Sequence, residues 1–167
     1  FLGEEPSNAR FDIHLKIDTG LGRMGVMPEE ATRLVREVST TRAVRLTGVY
    51  SHFGTADFAD RDFALQQLAI FKAWLNENTN VLPDGCLRHI ANSAATISLP
   101  DAHLDMVRPG LALYGYPPAD HLAKQIELRP TLKLYSHLTC IKEIPAGHSV
   151  GYARKFIATK PSRIGII

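Results

Sequence analysis

An α/β fold, in which strand–helix units lead into a separate β domain, is predicted by three features of the sequence. Residues 11–17 alternate strictly between apolar and polar. Strand and helix patterns then succeed one another as far as residue 115. Beyond Pro117-Pro118 the alternation continues without a helical interruption.

In Phe11-Asp-Ile-His-Leu-Lys-Ile17 the period of two puts Phe11, Ile13, Leu15 and Ile17 on one face, which is expected to pack on helices. Thr19-Gly20-Leu21-Gly22 turns the chain. Pro28 opens a helix with Glu29 and Glu30 in its first turn, and Ala31, Leu34, Val35 and Val38 form its apolar stripe. Residues 44–50 make a second strand, followed by a loop from Ser51 to Asp60. A long helix comes next, with Ala64, Leu68, Phe71 and Leu75 on one face and Trp74 beside them. A third strand covers about 87–91, and Asn92 caps a short helix containing Ala94, Ala95 and Ile97. A fourth, about 104–108, runs into the segment Gly110–Gly115. The alternating run 131–144, a turn at Pro145-Ala-Gly147, and β-like stretches near Phe156 and Arg163 complete the chain. A boundary within 116–128 divides it into a first domain, 1–120, and an incomplete β domain, 121–167.

Composition narrows the function classes. With 167 residues, 45% apolar and 22% charged, the chain is neither low-complexity nor disordered and can bury a sizeable core. Nineteen Lys and Arg against 17 Asp and Glu give a net charge of +2 with no clustered basic run, so no nucleic-acid partner is expected. No apolar stretch approaches the ~18 residues of a membrane span, so no membrane partner is expected either. Cys86 and Cys140 are 54 residues apart and form no CxxC, which fits a reducing, cytoplasmic location. The first residues lack a signal-peptide pattern and an initiator Met, and the last five read as mid-strand. Both ends are therefore expected to be cut.

Polar residues collect where strands end. Asp12, His14, Lys16 and Asp18 share the face opposite the aliphatics of the first strand. In a barrel that face would be the lumen, normally filled by Val, Ile and Leu, so charge there suggests a site; a solvated strand face is the plainer reading. Arg23 follows in a Gly-rich turn, and His52 ends the second strand. Asn92-Ser93 lies at a helix start, where N–H groups and a hydroxyl could hold a phosphate, or where Asn92 is simply a cap. Arg108-Pro109-Gly110 ends the fourth strand, with a glycine that lets backbone N–H groups approach a ligand. Each has an ordinary structural explanation taken singly; four successive strand ends together favour a site. The histidines show no HxxxH or HExxH spacing, and neither GxSxG nor a P-loop is present. No metal site is expected.

Five stretches together carry a resemblance. They are His14-Leu-Lys-Ile-Asp-Thr-Gly-Leu-Gly-Arg-Met-Gly25, Tyr50-Ser-His-Phe-Gly-Thr-Ala-Asp57, His89-Ile-Ala-Asn-Ser-Ala94, Asp105-Met-Val-Arg-Pro-Gly110 through Leu113-Tyr-Gly-Tyr-Pro117, and Val150-Gly-Tyr152. In this order they resemble the alanine racemases, pyridoxal-phosphate enzymes of bacterial cell-wall metabolism. The resemblance implies the second half of a (β/α)8 TIM barrel, followed by the beginning of a mostly-β domain. It implies pyridoxal 5'-phosphate as cofactor, alanine as substrate, and a homodimer in which the active site is completed across the interface. Ser93, Asn92, and the backbone of Gly110 and Leu111 would serve the phosphate. Arg108 would face the pyridine nitrogen and leave it unprotonated, because an Arg does not surrender its proton. Arg23 would bind the cofactor's phenolic oxygen and the substrate carboxylate, and Lys16 matches a lysine carbamylated in many members. Tyr152 matches the tyrosine that moves the α-proton on one face, and His52 would link it to Arg108.

Two departures qualify the resemblance. The family's Schiff-base lysine lies on a first barrel strand that these residues do not include, and Lys16 corresponds to a different strand. A later Gly-Tyr-x-Asp-Gly segment is also absent. The chain alone is therefore expected to be inactive. A serine or broad-specificity racemase of the same fold, and a non-catalytic pyridoxal-phosphate-binding barrel, remain as alternatives. The β run after residue 131 argues against the latter.

Overall fold

The computed structural model describes residues 10–167, which divide into two units, the first ending at Thr131 and the second running from Leu132 to Ile167. Among the described residues no helix is long and apolar enough to cross a membrane.

In the first unit, β1 (Phe11–Lys16), α1 (Pro28–Thr40), β2 (Val44–Tyr50), α2 (Asp62–Glu77), β3 (Leu87–His89) and α3 (Ser93–Ser98) follow in that order. The strands form a parallel sheet in sequence order, β1-β2-β3. Right-handed crossovers between neighbours taken in order place α1 and α2 on one face, as in a barrel wall. The packing agrees: Ala31 and Val35 of α1 and Leu68, Phe71, Trp74 and Leu75 of α2 join one core with Ile17, Leu46, Val49 and Ile90. Pro28 sits in the first turn of α1, where the missing N–H costs nothing. The register is Phe11 to Ile13 against Val44 to Leu46, then His14 to Lys16 against Gly48 to Tyr50, with an irregularity between Ile13 and His14.

The structure corrects the sequence reading in four places. The apolar face of β1 is buried fully only at Ile17, whereas Phe11 is 60% exposed at the open end of the strand. The expected fourth strand at 104–108 is irregular. It touches the β3 side through only two backbone bonds, Asp105 N to Arg88 O at 3.1 Å and Arg108 N to Ala91 O at 2.9 Å, and Leu104 adopts a φ of 49° that no strand tolerates. The domain boundary at residue 120 falls later, after Thr131, because Leu122 is wholly buried in the first core beside Ala119. Finally, the run 131–144 is a strand only at β4 (Cys140–Ile144). Its antiparallel partner β7 (Ser162–Ile166) faces those five residues, so Leu132, Leu134 and Leu138 have no ladder partner and stay exposed. A short pair, β5 (Ser149–Val150) with β6 (Phe156–Ile157), completes the second unit, where Ile144 and Ala158 are buried.

Phe71 is the largest wholly buried side chain. Phe71→Ala in the full-length protein should lower the unfolding free energy by about 3–5 kcal/mol, the cost of removing an aromatic ring from a packed core. Urea unfolding followed by circular dichroism measures it.

Candidate active site

The C-terminal ends of β1, β2 and β3 lie side by side, and the polar residues there are held by a few buried groups. After β1 the chain turns back so that Asp18 N bonds Val26 O at 2.8 Å and Val26 N bonds Lys16 O at 3.0 Å. Asp18 organises the turn. Its Oδ1 accepts from Gly20 N at 2.9 Å and Gly22 N at 3.1 Å, bonds that hold its carboxyl below the usual range. Gly25, at a φ of 108°, has no substitute here, since a Cβ would lie 2.8 Å from Lys16 O. This turn carries Arg23, which is exposed and has no hydrogen-bond partner among the described residues.

Gln67 of α2, wholly buried, ties the ends of β1 and β2 together. Its Nε2 donates to His52 O at 3.2 Å and, more weakly, to Thr19 Oγ1 at 3.5 Å, while its Oε1 accepts from Gly54 N at 2.8 Å. Thr19 and Ser51 share a hydroxyl–hydroxyl bond of 2.7 Å. The loop bearing His52 is thereby fixed from behind.

Arg108 is the centre of the arrangement. Its Nη2 donates to Ser51 O at 2.8 Å and reaches His52 Nδ1 at 3.3 Å; its Nη1 contacts His89 Nδ1. The guanidinium carbon lies 5.0 Å from the centroid of the Tyr50 ring, a cation–π distance. Tyr50 in turn stacks on His89 at 5.1 Å with the rings 4° from parallel. Among the described residues Arg108 Nε has no partner. Burial, with Arg108 next and His14 also contributing, pushes His89 down to about 4. Burial lowers His52 as well, helped by Arg108, Arg23 and Lys16. Lys16 is lowered by burial first and by Arg23 second, with Asp18 opposing, and its ammonium makes no hydrogen bond among the described residues.

The loop after β3 makes a second cluster. Asn92 caps α3, its side chain accepting from Ala95 N at 3.0 Å. Ser93 Oγ accepts from Gly110 N at 2.8 Å and Ala112 N at 3.2 Å, so two backbone donors and a hydroxyl converge. A Cβ on Gly110 would meet nothing within 4 Å and would project into open space. Leu111 lies between the two donors and is exposed.

The first unit thus brings Lys16, His52, Asn92, Ser93, Arg108, Gly110 and Leu111 to the strand ends, with Arg23 on the adjoining turn. Tyr152 belongs to the second unit. It is fully exposed and follows Gly151 (φ 75°), and Ala153 (58°) and Arg154 (52°) share that left-handed backbone. It has no packing role within its own unit. Sequence reasoning passed over His89, Tyr50 and Gln67 as site residues. His89 and Tyr50 lie in register with Lys16 across the sheet, an alignment that only strand pairing reveals. Gln67 sits on the buried stripe of α2 one residue before Leu68, and a polar residue on such a stripe is the available signal.

This chain is similar to several known proteins. Residues 3–118 match the family model for the alanine racemase N-terminal domain. The alanine racemase of Chlorobaculum tepidum is 40% identical over 158 residues, covering 95% of this chain and 41% of that protein. Alanine racemase 2 of Caldanaerobacter subterraneus subsp. tengcongensis is 40% identical over 169 residues, covering 99% and 44%. The crystal structure of the alanine racemase from D-cycloserine-producing Streptomyces lavendulae is similar at a TM-score of 0.84 and 38% identity, over 94% of this chain and 42% of that one. The chain spans about two fifths of the length of the curated relatives it matches.

The depressed histidines set a pH dependence. His89 takes up its proton near 6.5 when unfolded but only near 4 when folded, so below 6.5 the unfolded chain binds more protons. Its contribution to stability is complete above about pH 6.5 and is lost progressively as pH falls to about 4; His52 acts in the same direction. Asp12, Asp18 and Asp105, held below 3.8, add their loss only at still lower pH. Urea midpoints recorded across this range should fall with acidification, and less steeply in His89→Gln.

Proposed function

This chain belongs to the alanine racemase family, with residues 3–118 matching its N-terminal TIM-barrel domain, and on that premise we propose that the protein containing it interconverts L- and D-alanine with pyridoxal phosphate. The observation that carries the reading is the setting of Arg108. Both Nη atoms are committed to the fold and the free Nε is left for a ligand, two residues before the Ser93–Gly110 cradle.

The residues present fit the cofactor. Ser93 Oγ gathers the N–H groups of Gly110 and Ala112, which would turn to a phosphate in its place, and the open space at Gly110 would let a phosphate approach the backbone. Leu111 and the α3 start at Asn92 border it. Arg108 Nε–H offers an aromatic nitrogen a hydrogen bond but no proton, because a guanidinium stays charged. Pyridoxal phosphate, when bound, supplies the electron sink that acidifies the α-hydrogen of an amino acid. Arg108, which offers that nitrogen a hydrogen bond but no proton, would leave the sink weaker than a protonated ring would be. Arg23, exposed on the adjoining turn, would hold the substrate carboxylate and the cofactor's phenolic oxygen. Lys16, partly desolvated and only partly offset by Asp18, would gain from carbamylation, which replaces a cation crowded by Arg23 and Arg108 with an anion able to orient Arg23.

In the same reading Tyr152 takes and returns the α-proton on one face and works in the site of a second copy, within a two-fold homodimer. Its full exposure in the second unit leaves its hydroxyl available for that role. His52, its pKa lowered by burial and by the surrounding cations, would link the Tyr152 of the second copy to Arg108. The opposite face requires a second base, which we assign to a lysine outside these residues, in a first barrel strand. The present strands are then the second half of the barrel, and the chain by itself is inactive. The product would serve peptidoglycan synthesis in the cytoplasm.

Three outcomes check this. In the full-length protein Tyr152→Phe should spare cofactor binding and cut racemisation by about 10²–10⁴-fold, the range of a positioned acid–base. The loss should differ between L and D substrates, read as solvent isotope wash-in; near-normal racemisation removes Tyr152 from the mechanism. Isotope-labelled bicarbonate should give a carbamate signal that Lys16→Arg abolishes.

A further inference from the structure

We propose that His14 is a positioning residue for Arg108, acting through His89 as the terminal acceptor of a one-way line of hydrogen bonds; its consequence for the cofactor rests on the reading above. His14 Nδ1 lies 2.7 Å from His89 Nε2, with ring centroids 4.9 Å apart and planes tilted by 54°. On the other side of the same ring, His89 Nδ1 meets Arg108 Nη1.

The proton arrangement follows from one end. A guanidinium only donates, so His89 Nδ1 accepts, and the single proton of the neutral ring sits on Nε2. That proton is donated to His14 Nδ1, which therefore carries none, and the His14 proton is on Nε2. His89 is 2% exposed, so an unmatched N–H there would have no water to turn to. The groups facing His89 are Arg108, His14, Tyr50 and the more distant Asp105. Of these, His14 alone is hydrogen-bonded to Nε2.

A second observation stands apart from the hydrogen bonds. Gly48 pairs with His14 across β1 and β2, and a Cβ on it would lie 2.6 Å from His14 Nδ1 and Cε1. Glycine inside a strand weakens it and marks a close approach. Here the approach is that of the His14 ring, laid over the neighbouring backbone and so brought within reach of His89. The sheet thus makes room for this ring in this orientation. With His89 fixed between His14 and Tyr50, Arg108 is held at Nη1 as firmly as Ser51 O holds it at Nη2, and Nε keeps its direction.

The test uses the full-length protein and three substitutions. His14→Asn keeps an acceptor near the Nδ1 position, His14→Lys offers donors only, and Gly48→Ala leaves both rings intact while pushing His14 away. NMR of isotope-labelled histidine, recorded without cofactor, reads which nitrogen of His89 carries the proton; titration reads pyridoxal phosphate affinity. The wild type and His14→Asn should hold the proton on Nε2 and bind with similar affinity. Gly48→Ala should weaken binding about fivefold, the worth of one neutral hydrogen bond. His14→Lys should move the proton to Nδ1, set two donors against each other at Arg108, and weaken binding by more than Gly48→Ala does. A wild-type His89 protonated on Nδ1, or Asn and Lys variants alike in tautomer and affinity, overturns the proposal. A wild type with the stated tautomer but no affinity for pyridoxal phosphate overturns the functional reading and leaves the His14–His89 line standing.

Discussion

The site depends on the confinement of one cation. Arg108 lies half-buried among groups that accept from it: a backbone carbonyl at the end of β2, a ring nitrogen of His52, and a ring nitrogen of His89 at the end of β3. A guanidinium removed from water must have its donors matched, and five fixed N–H directions leave little freedom once three are assigned. Burial first, and the adjacent guanidinium second, hold both histidines below their ordinary range, and an unprotonated ring nitrogen is what can accept from Arg108. The same contacts that stabilise the charge therefore bear on the protonation state of its neighbours.

Around that charge the fold provides rigidity from outside the sheet. Gln67 reaches from α2 through the core to the backbone after β2, and Asp18 closes the turn after β1 on two backbone N–H groups. Neither is placed to touch a ligand. They hold the loops bearing His52 and Arg23, and loops so held can present side chains with the precision of strands. The division of labour is that of a barrel, in which the strands and helix stripe make the core and the strand ends make the chemistry.

The electrostatic balance of the strand ends is one-sided. Lys16, Arg23 and Arg108 all bear on the same region, and burial first, with repulsion among these cations second, lowers Lys16 and His52. Asp18 offsets part of this, but its Oδ1 is engaged by the turn. An anion relieves such a cluster, whether a phosphate, a carboxylate or a carbamate on Lys16 itself. The proposed cofactor, substrate and modification supply one of each.

Much of this was legible in the sequence because it is written in local patterns. The strand beginning at Phe11, the stripe Ala64–Leu68–Phe71–Leu75, Pro28 as a helix start and Asn92 as a cap each depend on neighbours within a turn or a strand, and each holds in the structure. The placement of Lys16, His52 and Ser93 at strand ends follows from those elements, whereas Arg108 and Gly110 reach the same place on an irregular segment. What the sequence left undecided depends on pairing between distant segments. The irregular course of residues 104–108 and the truncation of the 131–144 run at Cys140 reflect which backbone groups find partners, and alternation cannot report that. The inclusion of Leu122 in the first core is a matter of burial against residues far along the chain. His89 and Gly48 carry no local mark of their roles. Only the register of β1, β2 and β3 brings the His14 ring over Gly48 and against His89, and so decides which nitrogen faces Arg108.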